Sequence, residues 1–297
     1  MVFVCYDKDS CLFDLSETVH LKVRYKAVRN FWCKLPLNHR TPVLWDLGDG
    51  NGLSRSTLAG LSSYRVPIIS QSEIYSLSVT MDDPIDLTKT VLFPDFEFIK
   101  NEGYKEVLQK FQGCQTSFSC RRDAIFFRGS STGYVPSNLE ELDRNTRMHA
   151  VRVTFNRSGW DVRLTNTAQL SGKVKEAVAT YYLGSHTSLC GFMRYKAVLD
   201  LDGNSNSWKE LFTKLHMGSV VFKVESSYRQ WYYHKLIPGK HFHPIHLSEE
   251  VIRTLPHNLS NYTPTNLQDT PIQELSYEWM THAILRWWQK YKRHSAS

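Results

Sequence analysis

The stretch that decides the fold is "RYKAVLDLDGNSNSWKELFTKLHMGSVVFKVES", which runs from Arg194 to Ser226. Its first apolar run ends in Asp202-Gly203, a small polar turn follows, and SWKELFTKLH then has the apolar spacing of a helix. A second apolar run, SVVFKV, follows Gly218. A strand, a turn, a helix and a second strand in this order predict one unit of an α/β sheet, with the turn at the carboxyl end of the first strand.

Other segments repeat this alternation. Apolar runs in TPVLWDLGDGNG, RVPIISQSEI, KTVLFPDFEFI, DAIFFRGSSTG and MHAVRVTF predict further strands. VHLKVRYKAVRNFW and the segment that starts at Thr270-Pro271 have the spacing of amphipathic helices. Strands that alternate with helices indicate an α/β architecture.

The charge balance favours small anionic ligands. The 297 residues include 36 Lys and Arg against 29 Asp and Glu, a formal charge of +7, and the basic residues are spread out. A basic nucleic-acid-binding protein is the alternative, but a modest, dispersed excess does not require a nucleic acid partner. The N-terminal residues have no export pattern, and no uncharged apolar run approaches the ~18 residues that span a membrane. We therefore expect a cytoplasmic protein without a transmembrane segment.

The cysteines give an indication of the redox environment. The sequence contains six of them: Cys5, Cys11, Cys33, Cys114, Cys120 and Cys190. They form no CxxC pair, and a chain of this length does not need disulfides for stability. The simplest interpretation is six reduced thiols, with a Cys114–Cys120 bridge as the alternative.

Three glycine-containing turns follow apolar runs and are the candidates for a ligand site: residues 46–52, 128–133 and 202–209. Ligands of α/β proteins lie at the carboxyl ends of the strands, where backbone N–H groups and helix N-termini attract anions. None of the three turns is a P-loop or a complete GxGxxG motif. Ordinary turns are therefore the alternative for each of them.

The second and third turns have cations beside small residues. Arg128 precedes Gly129 and Ser130, so its guanidinium could clamp a phosphate whose oxygens also contact the turn. Lys209 would lie in the first turn of the helix that follows Gly203 and Ser207, where its charge adds to the helix dipole. A structural arginine and a solvated surface lysine are the alternatives.

The first turn offers a carboxylate. Asp49 lies between glycines that would let a substrate approach the backbone, and it is a candidate general base. Asp46, at the end of the apolar run, is a less well placed competitor. A turn-forming Asp-Gly is the alternative for Asp49.

Two patterns suggest a metal site. Asp200 and Asp202 form a DxD pattern whose side chains would share one face of a strand, as in some metal-dependent nucleotide-sugar transferases. His241, His243 and His246 are close in sequence but have no Cys or His partner at zinc-motif spacing. Both patterns are short enough to arise by chance, and we expect no metal.

The blocks AIFFRGSSTG, RYKAVLDLDGNSNSWKELFTKLHMGSVVFK and WYYHKLIPGKHFHPI, in this order and spacing, resemble the Rumi-type protein O-glucosyltransferases and their capsule-associated and lipopolysaccharide-modifying relatives. LWDLGDG and KTVLFPDFEFI also resemble the N-terminal strands of this family, so the resemblance covers residues 42–245. It implies a GT-B fold, with two Rossmann-like domains that face each other across a cleft. The predicted domains are residues 1–120 on the acceptor side, completed by a helix at 270–293, and residues 121–269 on the nucleotide-sugar side.

The resemblance also implies an activity: inverting, metal-independent transfer of glucose or xylose from a UDP-sugar to a hydroxyl of a glycan or glycoprotein. It assigns the catalytic base to Asp49. It implies that two turns bind the diphosphate of the donor. The residues of the first are Arg128, Gly129 and Ser130, and those of the second are Gly203, Ser207 and Lys209. Lys209 replaces the family's usual arginine, which keeps the charge but loses the bidentate geometry. A non-catalytic relative that binds nucleotides or carbohydrates, and a metal-dependent GT-A transferase, are the alternatives.

Overall fold

The computed structural model describes residues 2–7, 10–15, 19–36, 43–48, 66–111, 113–114, 116–265 and 276–296. The strands within these ranges are β1 Val2–Asp7, β2 Ser10–Leu15, β3 Val43–Asp46, β4 Ile68–Ser70, β5 Glu73–Ile74, β6 Ser78–Thr80, β7 Thr90–Leu92, β8 Arg122–Ser130, β9 Trp160–Asn166, β10 Tyr195–Asp200, β11 Val220–Val224, β12 Tyr228–Arg229 and β13 His243–Ile245. The α-helices are α1 Val19–Trp32, α2 Phe96–Lys100, α3 Lys105–Phe111, α4 Thr146–Thr154, α5 Gly172–Tyr181, α6 Leu189–Phe192, α7 Trp208–Leu215, α8 Glu249–Thr254 and α9 Tyr277–Ala296.

The chain divides into two compact units. Unit 1 combines residues 1–105, 227–235 and 273–297, and unit 2 combines residues 106–226 and 236–272. Both units contain parallel strands together with helices, so the α/β class is confirmed. The acceptor-side and donor-side roles of the two halves stay predictions.

Unit 1 contains a six-stranded sheet in the order β2-β1-β3-β4-β7-β6. The strands from β3 to β6 pair in parallel, whereas β1 is antiparallel to both β2 and β3. Aromatic side chains fill its core, where the Trp32 ring of α1 lies 5.5 Å from both Trp45 of β3 and Trp288 of α9. Edge-to-face contacts of this kind add to the free energy gained by burying the rings.

Unit 2 contains a five-stranded sheet in the order β13-β11-β10-β8-β9, and all its strands are parallel. One face packs on buried side chains of α4, α5 and α8. Because side chains alternate along a strand, Phe126 of β8 points to the opposite face, where its ring lies 4.8 Å from Phe192 of α6. Helix α7 connects β10 to β11, as the segment from Arg194 to Ser226 predicts.

The strand prediction for MHAVRVTF is wrong, because these residues belong to helix α4 and the residue after it. Asn145 caps this helix, and its side chain accepts hydrogen bonds from the backbone N–H groups of Arg147 and Met148. The next strand is β9, whose alternating burial was not recognised in the sequence. KTVLFPDFEFI is a strand only as far as β7, after which Asp95 caps helix α2. The predicted C-terminal helix is present from Tyr277, and its expected start at Thr270-Pro271 lies outside the described residues.

The prediction of reduced thiols is wrong for at least three cysteines. Cys114 forms a disulfide with Cys190, and Cys33 is also disulfide-bonded, whereas Cys120 is a free, exposed thiol. The fold places the Cα atoms of Cys114 and Cys190 4.9 Å apart, within bonding range, and a 76-residue separation hides this in the sequence. Disulfides persist in oxidising compartments, so this bond weighs against the cytoplasmic location, which stays a prediction. None of the helices in the described ranges has the length and apolar character to span a bilayer.

Candidate functional site

A cavity of about 360 Å³ lies within unit 2, between helices α3, α6 and α7 and the carboxyl ends of β8 and β9. This volume is within the usual range for a small-molecule site. The residues that line it are Val107, Lys110, Arg128, Gly129, Thr165, His186, Thr187, Ser188, Leu189, Phe192, Lys209, Glu210, Thr213, Lys214 and Met217. We call this cavity the basic pocket.

Cations dominate the charged lining of the basic pocket. It contains Lys110, Arg128, Lys209 and Lys214 against one carboxylate, Glu210. Some of these cations have acidic partners in the protein: among the described contacts, Arg128 pairs with Asp161 and Lys214 with Asp200. The pocket nevertheless places a clear excess of positive groups and several hydroxyls around one small volume, which suits an anionic ligand.

Arg128 is held firmly against the sheet. Its Nη1 donates to the backbone oxygens of Phe127 and Asp161 at 2.9 Å, and its Nη2 lies 2.6 Å from Asp161 Oδ1. The Tyr195 hydroxyl donates to the other Asp161 oxygen at 2.5 Å. Within the described part of the chain, Arg128 Nε has no hydrogen-bond partner. Arg128 therefore lines the pocket, but much of its hydrogen-bonding capacity is used inside the protein. Its role toward a phosphate stays a prediction.

The turn after Arg128 is fixed by hydrogen bonds within unit 2. Ser130 Oγ lies 3.3 Å from Thr132 Oγ1, Ser131 Oγ donates to Ala168 O at 2.6 Å, and the Gly133 N–H donates to the side chain of Asn204 at 3.0 Å. Gly129 lines the basic pocket, whereas Ser130 does not belong to its lining. The hydroxyls that the sequence suggested for a phosphate have partners in the protein.

Only part of the third predicted turn contributes to the basic pocket. Lys209, in the first turn of α7, lines the basic pocket together with Arg128 and Gly129. Ser207 is buried, and its hydroxyl donates to Asp200 and accepts no hydrogen bond from the N–H groups of α7. Gly203 lies against the turn that follows β8, and neither it nor Ser207 lines the pocket.

The two DxD carboxylates bind lysines. Asp200 is fully buried, with Lys214 Nζ at 2.7 Å and Lys223 Nζ at 3.0 Å, and Lys223 also lies 3.3 Å from Asp202. Burial opposes the charged form of Asp200, but the two ammonium groups outweigh it and hold its pKa well below the usual range. For Asp202, burial prevails and raises the pKa. A divalent cation here would have to displace these lysines, which counts against the metal-dependent alternative.

The three histidines do not converge on a metal site. His241 is buried, and its Nδ1 accepts the backbone N–H of Ile237 at 2.9 Å. The His243 ring lies 4.8 Å from the Tyr262 ring, and His246 is exposed. In the described parts of the chain, no group of three or more His, Cys, Asp or Glu side chains has a metal-binding arrangement.

Two residues of the site region were not recognised in the sequence, Asn145 and Arg147. The Asn145 side chain donates to the backbone oxygens of Ser131 and Tyr134, at 3.1 and 2.8 Å. Arg147 contacts both candidate turns of unit 2, after β8 and after β10. Their partners are 11 to 55 residues away in sequence, so no local pattern indicated them.

Asp49, the predicted base, lies outside the described residues. Asp46 ends strand β3 and is buried. Its Oδ1 accepts the Gly48 N–H at 2.9 Å, and its Oδ2 has no hydrogen-bond partner among the described residues. Asp46 therefore belongs with Asp49 in any test of the base.

The chain is similar to one protein family and to solved structures. The model of "Glycosyl transferase family 90" matches residues 85–276, about two-thirds of the chain. One solved structure, Anabaena Alr3699/HepE in complex with UDP-glucose, aligns at 12% identity over 93% of this chain and 76% of that one, with a TM-score of 0.33. A search of the curated proteins gave no match.

Proposed function

The chain belongs to glycosyl transferase family 90, and from that premise we propose that it is an inverting transferase that moves glucose or xylose from a UDP-sugar to a hydroxyl of a glycan or glycoprotein. The observation that carries the proposal is the basic pocket of unit 2, where Arg128, Gly129 and Lys209 come together. A nucleoside diphosphate supplies the negative charge that such a lining favours. The proposal includes the GT-B class for the two units.

In the proposed reaction, the acceptor oxygen attacks the anomeric carbon on the face opposite the UDP group. The bond from that carbon to the diphosphate oxygen breaks, and UDP leaves with the electron pair. Asp49 takes the proton of the acceptor hydroxyl. Arg128 and Lys209 stabilise the negative charge that grows on the leaving diphosphate.

The proposed reaction does not use a metal. Lys214 and Lys223 bind the carboxylates of Asp200 and Asp202, which leaves this pair poorly suited to hold a divalent cation. The positively charged side chains of lysine and arginine can stabilise a leaving diphosphate in place of a metal ion.

Ligand-induced stabilisation tests the donor site. We expect UDP to raise the melting temperature more than GDP, CMP or ADP, with and without EDTA, because a ligand of the folded state stabilises it. R128A and K209A should each weaken UDP binding. A wild-type protein that does not respond to UDP would contradict the proposed function, and a response that EDTA abolishes would reopen the Asp200 and Asp202 metal site.

Release of UDP from UDP-glucose and UDP-xylose tests the transfer step. D49N should bind UDP as the wild type does and lose transfer by about 10²-fold or more. D46N is the matched control, since it changes the other carboxylate of the same segment. Full activity in D49N combined with its loss in D46N would assign the base to Asp46. Binding of UDP without release of UDP from either sugar nucleotide, over a range of glycan acceptors, would favour the non-catalytic alternative.

A further inference from the structure

Arg147 lies in the first turn of α4, and its guanidinium contacts two turns of unit 2. Asn145 caps the same helix and fixes where it begins. Burial lowers the pKa of Arg147, but an arginine stays charged at neutral pH. Its charge and its fork of N–H donors are therefore both present between the turns.

Among the described residues, the hydrogen bonds of this guanidinium end on two short segments. On the turn after β8, Nη1 donates to Ser130 O at 3.1 Å, Ser130 Oγ at 3.3 Å and Thr132 Oγ1 at 3.0 Å. On the turn after β10, Nε donates to Asp202 O at 3.0 Å and Nη2 to Leu201 O at 3.3 Å. These acceptors are carbonyls and hydroxyls rather than carboxylates. The hydrogen bonds therefore join two turns and do not form an ion pair.

The two turns are in direct contact where Arg147 joins them. A Cβ atom on Gly203 would lie 2.7 Å from Thr132 Oγ1 and 3.0 Å from Arg147 Nη2, so only glycine fits there without a shift. The Gly133 N–H bond to Asn204 is a second link between the same turns. The relative position of the two turns is thus set by close packing and by one side chain that binds both.

These turns lie beside the proposed donor site. Arg128 and Gly129 lie near the end of β8, just before the first turn, and the second turn leads into Lys209; all three residues line the basic pocket. We propose that Arg147 is a positioning residue, which holds the turns after β8 and β10 together so that Arg128 and Lys209 face one diphosphate. This inference rests on the proposed function and adds to it a residue that does not itself line the pocket.

The substitution R147K separates charge from bridging. A lysine ammonium keeps the positive charge, but it is a single point donor and cannot bind both turns as the planar guanidinium does. We expect R147K to weaken UDP binding about 10-fold or more, since small displacements of binding groups have effects of that size. T132V removes one contact from the other side and leaves α4 intact, and it should shift UDP affinity in the same direction. R152K is the matched control, because Arg152 is on the same helix and pairs with exposed Asp143.

Amide hydrogen exchange gives a readout that is independent of UDP. In R147K, residues 129–134 and 201–207 should both exchange faster, whereas in R152K they should exchange as in the wild type. UDP affinities of R147K and T132V that equal that of the wild type overturn the inference, even if the melting temperature falls, because only a structural role would then remain. Failure of the wild type to bind UDP contradicts the proposed function instead, so the two failures are distinguishable.

Discussion

Removal of the Cys114–Cys190 disulfide should destabilise unit 2 strongly. The bond closes a loop of 76 residues, and the loss of chain entropy in the unfolded state gives a stabilisation of roughly 4.5 kcal/mol for a loop of this size. For a unit of this size, each kcal/mol shifts the melting temperature by about 2–4 °C. We therefore expect C114S/C190S to melt about 9–18 °C below the wild type in a calorimetric scan.

The same disulfide also borders the basic pocket. Cys114 follows α3, which contributes Val107 and Lys110 to the lining, and Cys190 belongs to α6, which contributes Leu189 and Phe192. We therefore expect C114S/C190S to bind UDP more weakly as well, because the bond holds two walls of the pocket together.

C120S is the control for this experiment. Cys120 is a free, exposed thiol, so its replacement should change neither the melting temperature nor the affinity for UDP. A reductant such as dithiothreitol should lower the melting temperature of C120S. In the double variant it should have a smaller effect, through the disulfide of Cys33 alone. A double variant that melts with the wild type would refute the reasoning.

Three further predictions concern buried groups. Burial raises the pKa of Asp95 to about 6, so the folded state holds a proton that the unfolded state releases near pH 4. The free energy of unfolding should then fall by about 2 kcal/mol between pH 4 and pH 7, and D95N should lose this slope in urea titrations. D200N leaves Lys214 and Lys223 buried with less compensating charge, and we expect a loss of about 3–5 kcal/mol in the same titrations. G203A forces a methyl group against the facing turn, and it should cost about 1–3 kcal/mol and weaken UDP binding.

Two of these substitutions, D200N and G203A, have matched controls. D143N removes an exposed partner of Arg152 and should cost about 1 kcal/mol or less, since exposed ion pairs contribute little. G113A should be nearly neutral, because a Cβ at Gly113 meets nothing within 4 Å. A wild-type stability that stays flat from pH 4 to pH 7, or equal losses in D200N and D143N, would contradict the burial argument. Equal losses in G203A and G113A would contradict the close approach of the two turns.

Local sequence pattern was sufficient to predict the strand–helix–strand segment β10–α7–β11, because each element there has the periodicity of its own type and a clear turn separates β10 from α7. It failed for MHAVRVTF, whose apolar residues fit a strand as well as a helix. Helix α4 begins after Asn145, whose side-chain amide donates hydrogen bonds to backbone oxygens of the turn after β8. That partnership exists only in the folded chain, so tertiary structure decided against the local preference.

The candidate site shows the same limit. The positions of Arg128 and Lys209 beside strand-end turns could be predicted, because a cation next to a small-residue turn is a local pattern, whereas their role in binding stays a prediction. The pairing of Arg128 with Asp161 joins residues 33 positions apart, on neighbouring strands. The lysines that bind Asp200 are 14 and 23 positions away. Residue type and spacing alone do not favour these partners over others.

The order of the segments in the two units has a consequence for how the protein is made. Unit 1 is built from three stretches of the chain, the last of which contains α9 with its buried Trp287 and Trp288. A ribosome therefore delivers every residue of unit 2 before it delivers this helix. Unit 2 can fold while the chain is still being synthesised, whereas the aromatic core around Trp32 stays open until α9 emerges. The nascent chain thus exposes the aromatic surface around Trp32 until α9 is available, and a chaperone that acts during translation would be expected to bind there.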